Sequence, residues 1–92
     1  MIQSSAIFRR VPHQVSCKLN GEVAILNLDR SVYFGLQGVG VEIWDALEQP
    51  RSMADLCTSI GEEFDVASDV CTADVARILT SLQQEGLVEI VG

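Results

Sequence analysis

The chain has 92 residues, 48% hydrophobic and 21% charged, the balance of one small folded domain; it excludes a disordered tail and leaves no room for separate catalytic and binding domains. Thirteen acidic against six basic side chains give a formal charge of -7, which repels polyanions and speaks against nucleic acid as a partner.

Residues 1–14 mix polar side chains with Arg9, Arg10 and Pro12 and show no clear period, so they read as a flexible N-terminal arm ahead of a domain spanning 15–92. They lack the apolar run of a signal peptide, and no later stretch approaches the ~20 apolar residues of a membrane span. The expectation is a soluble cytoplasmic protein without a membrane partner. "VSCKL" then alternates, Asn20-Gly21 is a strong hairpin signal, and "EVAILNL" follows as a β-rich run. Asp29 to Ser31 supplies a second turn, and "VYFGL" a third strand that closes a meander.

From there the period lengthens. Val39, Ile43, Trp44 and Leu47 share one face of a first helix, ended by Pro50. Ser52 with Asp55 three residues on resembles a capping box and opens a second helix, with Met53, Leu56, Cys57 and Ile60 on one side. A third helix starts near Ser68, carries the stripe Val75, Ile78, Leu79, Leu82, and stops at Gly86, before "LVEIV" as a short strand or extended tail. The predicted fold class is α+β, winged helix-turn-helix-like, with a three-stranded antiparallel sheet followed by three helices. A winged-helix transcription regulator is the rival reading. Residues 65–85, however, hold Asp65, Asp69, Asp74 and Glu85 against Arg77 alone, which is not the surface of a DNA-recognition helix.

The expected chemistry is thin. In "GLQGVGVEI" the glycines suggest a dinucleotide loop, but the sixth position of that fingerprint is Ile43 rather than glycine. Sharp turning and close packing explain Gly38 and Gly40 better. Cys17, Cys57 and Cys71 form no C-x-x-C pair, and the single histidine, His13, lies in the lead-in. Neither a disulfide framework, a metal site nor a Cys-His nucleophile is indicated, and no enzyme or cofactor is expected.

Tyr33 and Phe34 are strand neighbours and point to opposite faces, with either one free to be the inner residue. The third strand ends the meander, so its outer edge presents N–H and C=O groups that can pair with another extended chain. The third helix adds an apolar stripe beside it. An incoming peptide would gain main-chain hydrogen bonds from the edge and side-chain selection from the groove. Ser31, Val32, Tyr33 and Phe34 are the candidate strand wall. Cys71, Asp74, Val75 and Ile78 are the candidate helical wall, although Cys71 and Ile78 fit a core equally well. Asp69 and Asp74 suit basic or polar peptide residues, and Arg77 an acidic one.

The run "LNLDRSVYFGLQGVGVEIWDAL", followed by "DLCTSIGEEFDV" and "DVARILTSLQQEGLVEI", resembles the PqqD-like family, the recognition elements for ribosomally made, post-translationally modified peptides (RiPPs). The similarity covers about residues 15–91, most specifically Tyr33 to Leu47 and Leu82 to Val88. It implies a three-stranded sheet followed by three helices, with the leader region of a precursor peptide bound along the third strand against the third helix. The "YFGL" form looks most like the free-standing proteins of lasso peptide pathways, which implies a leader peptidase and a cyclase as further partners. Gln37 departs from the asparagine common in the family.

Overall fold

The computed structural model of the chain describes residues 5–64 and 68–91. Six strands and three helices follow one another along them: β1 (Ile7–Arg10), β2 (Gln14–Leu19), β3 (Glu22–Asn27), β4 (Val32–Leu36), α1 (Val39–Ala46), β5 (Arg51–Ser52), α2 (Met53–Phe64), α3 (Ser68–Gln84) and β6 (Val88–Ile90). The expected meander is the antiparallel sheet β2-β3-β4, and the three expected helices follow it. Asn20 and Gly21 turn the first hairpin with φ of 54° and 80°, both in the left-handed region that a two-residue turn between twisted strands demands.

The lead-in departs from expectation. Within residues 1–14, Ile7–Arg10 is not part of a flexible arm but the middle strand of a second sheet, order β5-β1-β6. Phe8 faces Arg51 on one side and Ile90 on the other, and its ring is fully buried in the core. The polar look of "IFRR" is misleading because both arginines are used. Arg9 donates from Nε to Glu89 Oε2 at 2.6 Å. Arg10 stacks its guanidinium 4.4 Å from the Trp44 ring centroid and donates to the Trp44 carbonyl, so its charge lies against an aromatic face while its N–H groups find an acceptor. The "LVEIV" ending, expected as strand or tail, is the strand β6 on the other side of β1.

One core joins the two sheets and three helices: Phe8, Val23, Ile25 and Leu36 from strands, Ile43, Trp44 and Leu47 from the first helical segment, and Leu56, Ile60, Val75, Leu79 and Leu82 from α2 and α3. Ser52 Oγ accepts the Asp55 N–H at 3.1 Å, the cap that the sequence suggested for α2. Gly38, at φ 56°, turns the chain from β4 into α1. Gly40 sits against the sheet so tightly that a Cβ there would lie 3.0 Å from Leu36 Cδ2. Gly38 thus serves the turn and Gly40 the close packing, rather than a phosphate loop.

Asn27 is the one buried polar side chain among the described residues, and it locks β3 to the end of α3. Its Nδ2 donates to the carbonyls of Glu85 (2.9 Å) and Gly86 (3.3 Å), while its Oδ1 accepts the N–H groups of Asp29 (3.0 Å) and Arg30 (3.2 Å). Arg30 Nη1 adds a bond to the Gln84 carbonyl at 2.9 Å. The turn leading into β4 thus satisfies the carbonyls that α3 leaves open, and this clasp sets the spacing between β4 and α3. Gly86 completes it. The Gly86 N–H reaches the Gln83 carbonyl at 3.0 Å and the Leu87 N–H the Leu82 carbonyl at 2.9 Å, a Schellman ending with glycine at φ 71°. A methyl group at Gly86 would meet Asn27 Nδ2 and Arg30 Cζ at 3.1 Å. Gly86→Ala is therefore expected to lower the unfolding free energy by about 1–2 kcal/mol, as left-handed strain adds to a crowded clasp; urea denaturation followed by circular dichroism measures it.

Candidate functional site

The two edges of the β2-β3-β4 sheet are built differently. At the β2 edge, Lys18 points inward and donates to Asp45 Oδ2 at 2.6 Å, an inward charge of the kind that protects an edge from foreign strands. The β4 edge, Val32-Tyr33-Phe34-Gly35-Leu36, has no charge and no proline. It carries nothing that would deter an added strand.

Register decides which face each β4 side chain occupies. Val32, Phe34 and Leu36 pair with Asn27, Ile25 and Val23, all three of them buried, whereas Tyr33 and Gly35 pair with Leu26 and Ala24. Phe34 is therefore the inner residue and Tyr33 the outer one, 72% exposed. Ser31 sits in the turn at φ 55° and gives its N–H to the Asn27 carbonyl at 2.8 Å.

Between this edge and α3 runs a groove of ≈ 240 Å³, walled by Phe34, Gly35, Leu36 and Gln37 on the strand side, by Arg77, Ile78 and Ser81 on α3, and by Gly40 at its floor. It falls short of the ~300–1,000 Å³ usual for small-molecule sites. Gln37 Nε2 donates to Glu22 Oε1 at 2.8 Å, which fixes one end of the strand wall. Arg77 is 71% exposed along its side chain and lies 3.7 Å from Asp74. A contact this long and solvated holds the guanidinium weakly, so Arg77 is available to a carboxylate in the groove.

The helical wall needs a correction. Cys71 is 3% exposed and Val75 fully buried, so neither lines the groove. With Leu79 and Leu82 they form the core stripe of α3, and the groove belongs to the adjacent stripe of Arg77, Ile78 and Ser81; Asp74 continues that stripe next to Arg77 but does not line the groove. The two stripes are one residue apart on a helix, close enough for sequence periodicity to merge them. Cys71 Sγ contacts the Cys57 carbonyl at 3.4 Å. Burial, then the neighbouring Cys57 and Asp74, push its thiol above the usual range, the setting of an inert core thiol rather than a nucleophile. The side chain of Asp69 lies outside the described residues. Sequence reasoning missed Gly35, Leu36, Gln37, Gly40 and Ser81. Ser81 was within reach, being four residues beyond Arg77.

A larger cavity of ≈ 460 Å³ opens between β2 and α1, lined by Arg10, Lys18, Trp44, Asp45 and their neighbours. Three of its charged residues are already engaged, Lys18 with Asp45 and Arg10 with the Trp44 carbonyl, and Glu48 also lines it. Among the described residues no helix is long and apolar enough to cross a membrane.

The family model of coenzyme PQQ synthesis protein D matches residues 22–88. A search of curated proteins finds no match. Among solved structures, TbiB1 in complex with the TbiA(beta) leader peptide is 30% identical, with a TM-score of 0.82 over 88% of this chain and 94% of that one. Lasso peptide synthetase B1 complexed with its leader peptide is 22% identical, with a TM-score of 0.73 over 89% and 96%. The PqqD portion of PqqCD from Methylobacterium extorquens, a stand-alone RiPP recognition element, is 15% identical, with a TM-score of 0.79 over 97% and 95%. The last two agree in fold. A family match across most of the chain, a relative at 30% identity and the sheet-then-helices order coincide: the chain belongs to the PqqD-like family.

Proposed function

We propose that this protein is a non-catalytic carrier of a precursor peptide, which binds the leader region as an added strand on β4 and presents it to the enzymes of a cytoplasmic maturation pathway, a leader peptidase and then a cyclase. The observation that carries this reading is the uncharged β4 edge lying along a groove in which Phe34, Leu36 and Ile78 stand beside the polar Gln37, Arg77 and Ser81. Main-chain pairing with β4 contributes about 0.5–1.5 kcal/mol per hydrogen bond, and Phe34, Leu36 and Ile78 receive the inward leader residues. Tyr33 meets outward ones, and Arg77 is placed for a leader carboxylate. The similarity to TbiB1, solved with a leader peptide, supports this reading. A free leader is disordered, so ordering offsets part of the contact energy.

The test is a fluorescence-anisotropy titration of this protein against the N-terminal half of the pathway's precursor. A one-to-one complex with Kd of about 1 μM or tighter is expected, roughly -8 kcal/mol. New amide-exchange protection should be confined to β4 and the α3 groove. Absence of binding at 100-fold that concentration, or protection along β2 instead, would defeat the proposal.

A further inference from the structure

The outer face of the β2-β3-β4 sheet is not used by the core. Register places Val15, Leu26 and Tyr33 in one row across it and Cys17, Ala24 and Gly35 in the next. Leu19 continues this face beyond the second row. Val15 is 55% exposed, Leu19 65% and Tyr33 72%. Three exposed apolar side chains on one flat face, with no charged residue in either row, differ from the scattered apolar residues of an ordinary surface. Cys17 adds an exposed thiol to the same face, a feature that isolated surfaces avoid.

Charge argues about the occupant. Glu22 stands opposite Leu19 at one end of the face, and Asp29 lies in the turn beyond β3, its side chain 71% exposed and 3.5 Å from His13 Nε2. Nearby Arg30 is turned toward the Gln84 carbonyl. With a chain charge of -7, a second copy would bring an equal negative field against this one, whereas a surface rimmed by lysine or arginine would be drawn in. Position adds to this. Tyr33 and Gly35 belong both to the face and to the strand on which the leader is proposed to add, so the outward side chains of a bound leader would extend the same surface.

We infer that the outer sheet face is a second docking surface, occupied by the leader peptidase through an apolar patch rimmed with basic residues, so that enzyme and leader meet on one continuous sheet. This rests on the leader-binding proposal, and the two fail separately: a leader titration tests the groove, and peptidase coupling tests the face.

The experiment uses the full chain, a fluorescein-labelled leader, and the purified peptidase of the same pathway. Val15→Lys/Leu19→Lys changes the face on β2, at the opposite side of the sheet from β4. It is expected to keep leader affinity within about twofold, while the ternary complex disappears from sedimentation velocity and leader cleavage slows by about tenfold or more, as for loss of an apolar interface anchor. The wild-type complex should weaken as salt rises. Should the charged variant fold poorly, Val15→Thr/Leu19→Thr retains strand preference and is read by the same three measurements, with a smaller loss of coupling expected. Unchanged ternary assembly and cleavage would overturn the inference. Loss of leader affinity in the same variants would also overturn it, by assigning the face to the leader. So would a wild-type dimer that these substitutions dissociate, by assigning it to a second copy.

Discussion

Phe8→Ala is expected to lower the unfolding free energy by about 4 kcal/mol, within the ~3–5 kcal/mol that truncating a buried phenylalanine costs. Phe8 is fully buried, and its strand β1 holds β5 on one side and β6 on the other. A domain of this size has roughly 5–10 kcal/mol in total, so the variant should be close to unfolding at physiological temperature. Urea denaturation followed by far-ultraviolet circular dichroism decides the matter. A mobile lead-in would make the same substitution nearly silent, within about 0.5 kcal/mol. A silent Phe8→Ala would therefore remove the second sheet, and with it the support beneath Trp44, whose carbonyl and ring both receive Arg10.

The difference between the legible and illegible parts of this fold is a matter of range. β2, β3 and β4 are joined by turns whose chemistry is local: Asn20-Gly21 adopts the left-handed pair that it suggests, and Asp29 to Ser31 reverse the chain at the other end of β3. The helices announce themselves through apolar spacing and the Ser52 cap. β1 does not, because its justification lies elsewhere in the chain. Arg9 is outward-facing and satisfied by Glu89, 80 residues away, while Arg10 depends on Trp44. β5 is two residues long, too short for any period. A four-residue strand with two cations looks like a loop until its partners are placed around it.

The site divides in the same way. Its strand wall could be expected because a meander must end in an edge, but the face of Tyr33 required the register. Its helical wall was blurred by a single residue step: Cys71, Val75, Leu79 and Leu82 point inward, and Arg77, Ile78 and Ser81 look into the groove. Asn27, which holds the two walls at their spacing, resembles any polar residue at a strand end until both of its neighbours are known.

Ile78→Asp gives the groove its sharpest test. Ile78 is partly buried against the core and lines the groove opposite β4, so its aliphatic side chain is the one that an inward leader residue must contact. A carboxylate there would be desolvated by a bound peptide, and it would stand one helical turn from Asp74, adding like charge. Leader affinity is expected to fall by about 100-fold, roughly 2.7 kcal/mol. Helical circular dichroism should persist, because the fully buried Val75, Leu79 and Leu82 remain in place. Ile78→Val removes one methylene without introducing charge and should stay within a few-fold of wild type, since such truncations cost about 0.5–1.5 kcal/mol even in cores. Anisotropy titrations of both variants with the same leader separate an apolar contact from a general disturbance of α3. If the aspartate variant binds as tightly as the parent, the leader does not lie in this groove, and the uncharged edge of β4 must be explained by something other than a peptide strand.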